Sequence, residues 1–156
     1  GGAPRRSTSD MPLLDAEPLL VDRLKAACPA VSGNVFAAAD LAAVQEAAQV
    51  TPALHVVLHH YRKLDDDAGS GTLWRETWLV VACVKNVRQH VGASAIRNAA
   101  GALLAEVMAA LDGWRCPGAV GLVRAIDPPA PLVTDGFGYF PLAFAVNTVT
   151  TGAEDL

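Results

Sequence analysis

Two β-rich segments, Ala53 to Tyr61 (ALHVVLHHY) and Leu73 to Asn86 (LWRETWLVVACVKN), are joined by RKLDDDAGSGT, a polar stretch with three acids and two glycines. No other feature limits the fold so strongly. Two strands joined by a polar, glycine-containing loop form an antiparallel hairpin. This loop is longer than a tight turn requires, so it is expected to project. On the second strand Trp74, Trp78, Val80, Ala82 and Val84 share one parity, and Leu79, Val81 and Cys83 share the other. Both faces turn apolar after Trp78, which places this half in the centre of a sheet covered on both sides.

The remaining segments surround that hairpin. From Asp15 to Cys28, Leu20, Val21, Leu24, Ala27 and Cys28 recur at helical spacing. Pro18 suits the first turn of such a helix, and Pro29 ends it. Ser32, Gly33 and Asn34 read as a turn, and Val35 to Ala38 as a short strand. Asp40 is placed to cap a short helix through Leu41, Val44 and Ala48. From Ser94 to Asp112, Ile96, Ala100, Leu103, Val107 and Leu111 form a clean buried stripe, with Ser94 as N-cap and Gly113 just past the end. A strand from Val120 to Ile126 and a stiff DPPAP connector follow. The last strand is read from Phe137 to Thr148, with Phe140, Leu142, Phe144 and Val146 on one face. Pro141 within it points to an edge or a bulge. The order predicts an α+β fold: a mostly antiparallel sheet with a central long hairpin and two main helices packed on one face. The two helical and strand faces should meet, with Phe140, Leu142 and Phe144 against Ile96, Leu103 and Val107.

The chain has 156 residues, enough for one domain with a real core. Residues 1–10 (GGAPRRSTSD) read as a cloning remnant, 11–150 as a single domain and 151–156 as a flexible tail. Setting aside Arg5, Arg6 and Asp10 leaves ten basic and fifteen acidic residues, a net charge of −5. An acidic domain without a basic stripe is not built for specific nucleic-acid binding. Charged residues make up only 18% of the chain, which fits a surface partly covered by a partner. No stretch approaches the ~18 apolar residues that a membrane helix needs, so no membrane association is expected. Cys28, Cys83 and Cys116 are widely spaced in apolar contexts and read as buried free thiols.

The chemistry-bearing residues do not assemble into a motif. His55 and His59 share a parity on one strand, with His60 opposite; at i and i+4 on a strand they stand about 13 Å apart. One zinc ion needs ligands within about 2.0–2.3 Å, so no metal site is expected there. His90 reads as a loop residue. Asp65, Asp66 and Asp67 lack the alternation and terminal glutamate of a calcium loop. No nucleophile elbow and no phosphate-binding loop is present. The glycines at Gly69 and Gly71 sit at a hairpin tip and not before a helix. Cys83 at a strand centre has no base arranged beside it. Trp74 and Trp78 could stack bases, but without basic residues nearby they read as core or subunit interface. No catalytic residue, cofactor site or metal site is assigned, and the chain is not read as an enzyme.

TPALHVVLHHY, the polar loop and RETWLVVACVKN together resemble the central hairpin of bacteriophage tail terminator proteins. The resemblance continues in AIRNAAGALLAEVMAALDGW and GFGYFPLAFAV and covers most of the chain from Met11 to Val146. It implies a small α+β subunit that forms a hexameric ring. Such a ring caps the finished tail tube, stops its polymerisation and offers its other face to the head-completion or connector protein. It implies a virion location at the head-proximal end of the tail, with assembly in the host cytoplasm. It also implies contact with the tail-tube protein, and with a sheath protein where the tail contracts. No cofactor and no reaction are implied. The charged loop bearing Arg62, Lys63, Asp65, Asp66 and Asp67 is the expected partner contact. The alternative reading is a small ligand-binding or regulatory domain with a pocket between sheet and helix, and a third is an enzyme of unassigned type. Ligand-dependent melting would mark the former; partner-dependent oligomers mark a ring builder.

Overall fold

In α1 (Ala16–Ala27) the apolar spacing brings Ala16, Leu20 and Leu24 onto one completely buried face. The computed structural model describes residues 11–47, 50–64, 71–85, 92–134 and 136–153. A single 3-10 turn at Pro29–Val31 leads into β1 (Val35–Ala38). α2 (Leu41–Ala47) follows, its first turn capped by Asp40, whose Oδ1 accepts the Ala43 N–H at 2.8 Å. Then come β2 (Ala53–Lys63), β3 (Gly71–Lys85), α3 (Gly92–Leu111), β4 (Arg124–Ile126), β5 (Leu132–Val133) and β6 (Phe137–Thr151).

The fold is α+β. The sheet runs β1-β2-β3-β6-β4, with β5 also paired to β6. β2 and β3 form the expected antiparallel hairpin, and β6 lies antiparallel on the other side of β3. β1 is parallel to β2, so the sheet is mixed at that edge. α1 and α3 share one face with Leu54, Val56, Trp78, Val80, Phe144 and Val146, completing the main core. Phe140, Leu142 and Phe144 join the same cluster as Ile96, Leu103 and Val107, as their periodicities require. Gly138 leaves room for this contact, since a Cβ there would stand 2.8 Å from Ile96 Cδ1 and 2.7 Å from Phe140 Cε2. Val44 of α2 packs on the opposite face with Val57, Leu79, Val81 and Cys83. Both parities of β3 beyond Glu76 are therefore buried, which accounts for its continuous apolar run.

Several local expectations change. α3 begins at Gly92, so Ser94 lies inside its first turn and not at the N-cap. The strand expected from Val120 contracts to Arg124–Ile126. Gly121 takes a positive φ of 72°, and the Val123 backbone is instead tied to the end of α3, through Gly113 N–H to Val123 C=O at 2.8 Å and Val123 N–H to Trp114 C=O at 2.9 Å. β6 is interior to the sheet, yet Pro141 falls between the stretches paired with β4 (Ala143–Ala145) and β5 (Gly138 and Tyr139), where no outer strand among the described residues asks for its missing N–H. A register shift between Leu58 and His60 also reverses the alternation of β2. His60 thereby lies on the face of His55, contrary to uninterrupted alternation. Finally, Ser94–Leu111 is long and apolar enough by length and composition to cross a membrane. This corrects the expectation that no stretch is apolar enough: glycine, serine and single polar residues interrupt the segment, and in the fold its stripe from Ile96 to Leu111 is against the sheet.

His55 is buried, its ring tilted against that of Phe36 with centroids 5.5 Å apart, and neither ring nitrogen has a hydrogen-bond partner among the described residues. Burial lowers its pKa below the ordinary 6.5. The unfolded chain then binds the proton first, so stability is present above the ordinary value and is lost as pH falls through the folded one. Acidification from about pH 7.5 to 5.5 is expected to lower Tm, and His55→Leu should reduce that loss. An identical pH slope in the variant would remove His55 from the account.

Candidate functional site: a projecting three-stranded arm

The core stops short of the ends of the three central strands. On β2, His59 through Lys63 are all exposed; on β3, Gly71 through Arg75 are half-buried; β6 runs alongside them to Thr151. Pairing continues regularly to Lys63 opposite Trp74 and to Gly71 opposite Thr151. Strand propensity explains why the chain stays extended here: Thr148-Val149-Thr150-Thr151 are all β-branched. The result is an arm held by main-chain bonds and cross-strand side-chain pairs, beyond the reach of the helices.

Its two faces differ. On the face continuous with α1 and α3, Tyr61 meets Trp74 edge-on at 6.0 Å, and Trp74 Nε1 donates to Thr150 Oγ1 at 2.8 Å. Lys63 stands opposite Trp74 on that face. On the other face Arg62 is directly opposite Arg75, whose Nε donates to Asn147 Oδ1 at 3.4 Å. Two like charges face each other there, an arrangement that costs stability unless a partner relieves it. Arg62 and Lys63, both expected as partner contacts, thus point to opposite faces; Asp65, Asp66 and Asp67 lie outside the described residues.

The root of the arm rests on Glu76, a residue the sequence reading passed over. It is completely buried between half-buried Trp74 and buried Trp78. Its Oε1 accepts Trp78 Nε1 at 2.9 Å, and its Oε2 accepts the Leu14 N–H at 3.1 Å and the Thr148 hydroxyl at 3.5 Å. Desolvation raises its pKa against the lowering effect of these donors. The carboxyl ties the segment before α1, the arm root and β6 together. The available signal was a lone glutamate on the apolar parity of a strand, between two tryptophans.

Elsewhere the chemistry is quiet. Burial pushes the Cys83 and Cys116 thiols up to about 11, Cys116 also by the charge of Glu76, so both stay protonated at neutral pH. A nucleophilic cysteine needs the opposite shift. Among the described residues no group of three or more His, Cys, Asp or Glu side chains is placed to hold a metal ion. A cavity of about 440 Å³ lies beside α3, lined in part by Pro52, Val84, Lys85, Leu103 and Glu106.

The sequence profile of phage tail terminator proteins matches residues 10–154, nearly the whole chain and the entire arm. The chain belongs to the phage tail terminator family. A tail terminator is a virion structural protein, and it assembles with other tail components. The fold of this terminator is shared by a solved chain from the virion of the native gene transfer agent particle, at 17% identity and a TM-score of 0.55 over 84% of this chain and 92% of that one. At that identity the likeness speaks for the fold alone. No curated protein matches.

Proposed function

We propose that this terminator forms a hexameric ring that caps the completed tail tube, ends its polymerisation and presents a surface to the head-completion or connector protein. It acts without catalysis or cofactor. The single observation that carries this reading is family membership across residues 10–154. The exposed arm supports it, because an arm with no share in the core is free to make subunit contacts. An acidic subunit suits a channel through which DNA slides without sticking. The terminator sits at the head-proximal end of the tail after assembly in the host cytoplasm; a contractile tail adds the sheath protein as a partner. Removing its gene from the parent phage should yield tails of uncontrolled length that do not join heads. Tails of normal length in that background would end this reading.

The charged hairpin tip, with Arg62 and Lys63 at its base and Asp65, Asp66 and Asp67 beyond, serves partner contact in this proposal. Stability depends only weakly on loop length, about 0.6 kcal/mol per doubling. Replacing residues 65–70 by a two-residue turn should therefore leave Tm nearly unchanged while tail completion fails. Normal completion by the shortened protein would reduce the loop to a connector.

A further inference from the structure

The arm has an open edge on each side. Among the described residues, β1 pairs only with Leu54 to Val57, so β3 is the one strand paired with β2 from His59 to Lys63. On the other side β4 pairs with Ala143 to Ala145, and the Val120 N–H donates to Asn147 C=O at 2.8 Å. Beyond that bond, Thr148 to Thr151 pair, among the described residues, only with β3. Each edge presents backbone donors and acceptors that a further strand would satisfy.

The two edges are unlike, and their difference is informative. Strands exposed to solvent are normally blunted by lysine, proline, a bulge or an inward charge. The β6 edge, Thr148-Val149-Thr150-Thr151, has none of these and is wholly uncharged and β-branched. The β2 edge ends in Arg62 and Lys63 after two histidines. Like charges oppose pairing of one β2 edge with another, whereas a neutral β6 edge accepts it. Direction completes the argument. β2 and β6 are both antiparallel to β3 and hence parallel to each other. Copies related by rotation about an axis that runs along the strands keep the same strand sense, so in such a ring β6 of one meets β2 of the next in parallel. Such a head-to-tail contact uses two different surfaces and closes when the rotation permits.

We propose that neighbouring copies of this chain join by parallel main-chain pairing of the β6 edge of one arm, Thr148 to Thr151, with the β2 edge of the next, His59 to Lys63. The proposal rests on the ring reading above and specifies its contact. Each copy contributes three strands to a continuous sheet around the ring. Tyr61, 50% exposed in the single chain, is covered in the process.

Cysteine pairing tests it. Arg62→Cys is combined with Val149→Cys or with Thr151→Cys; the register places all three positions on one face of the arm. Within one chain β3 separates them by about 10 Å, beyond the ~7 Å a disulfide tolerates. The native cysteines are buried. Oxidation of assembled protein should give a covalent ladder ending in a closed ring for at least one double variant, and no ladder for the single variants. Disulfide dimers from Val149→Cys alone would mean β6 pairs with β6 and overturn the proposal. Rings in native mass spectra without a ladder in either double variant would overturn the pairing and leave the terminator role standing. Monomers alone, in solution and on tail-tube ends, would overturn both.

Discussion

Phe144→Ala is expected to destabilise the terminator by about 3–5 kcal/mol, the usual cost of emptying a fully buried phenylalanine site. Phe144 is among the largest fully buried side chains. It stands opposite Trp78 across the β3–β6 ladder and shares a core with Leu103 and Val107 of α3. α1, α3 and the sheet all contribute side chains to that core. For a domain of this length the loss corresponds to a Tm drop of roughly 6–20 °C. Thermal and urea unfolding measure it, and a drop of under a degree would show that Phe144 is not at the centre of packing. Leu142→Ala, on the same face but only half-buried, should cost less. The ratio of the two separates burial from a general effect on β6.

Glu76→Ala should cost about 3 kcal/mol by a different route. The substitution strands the indole N–H of Trp78 in the interior, where an unpaired donor costs about 1–3 kcal/mol, and removes the partner of the part-buried Leu14 amide. Glu76→Gln is the informative companion. Trp78 and Leu14 donate to different carboxyl oxygens. An amide offers only one oxygen, so one donor then faces an NH₂ group, and a smaller loss of about 1–2 kcal/mol is expected. The readout specific to this arrangement is hydrogen exchange at the Leu14 amide, which should accelerate in both variants beyond the change in global stability. Unchanged protection at Leu14 would show that the segment before α1 is held by something else. Glu76 also opposes His55 in the pH profile. Its raised folded pKa means that its contribution is present below the ordinary glutamate value and lost as pH rises through the folded one.

The elements of this fold were legible wherever a short-range pattern repeats. The four- and three-residue spacing from Ile96 to Leu111 is the face α3 buries, and Phe140 to Val146 is the face β6 turns toward it. The two-sided apolar run of β3 announced a covered central strand, and the glycine-containing acidic stretch announced a hairpin. The family resemblance rested on the same hydrophobic order, and the profile match over residues 10–154 agrees with it. The site was less legible. Arg62 and Lys63 are adjacent in sequence and look like one charged cluster, yet a pleated strand sends them to opposite faces of the arm.

What the sequence by itself determined is the set of elements and their buried sides. Periodicities of 2 and 3.6, proline stops and β-branching act within a few residues, so they can be read in order along the chain. What only the tertiary structure decided is how those elements meet. β1 lies parallel to β2, the bulge at Leu58 to His60 reverses the face of His60, and the backbone of Val123 binds the end of α3 instead of the sheet. The carboxyl of Glu76 joins partners 62 and 72 residues away in sequence. Each of these depends on which distant backbone groups find one another once the core has closed. A buried polar group must be satisfied by whatever the fold brings to it, and no local pattern specifies that partner.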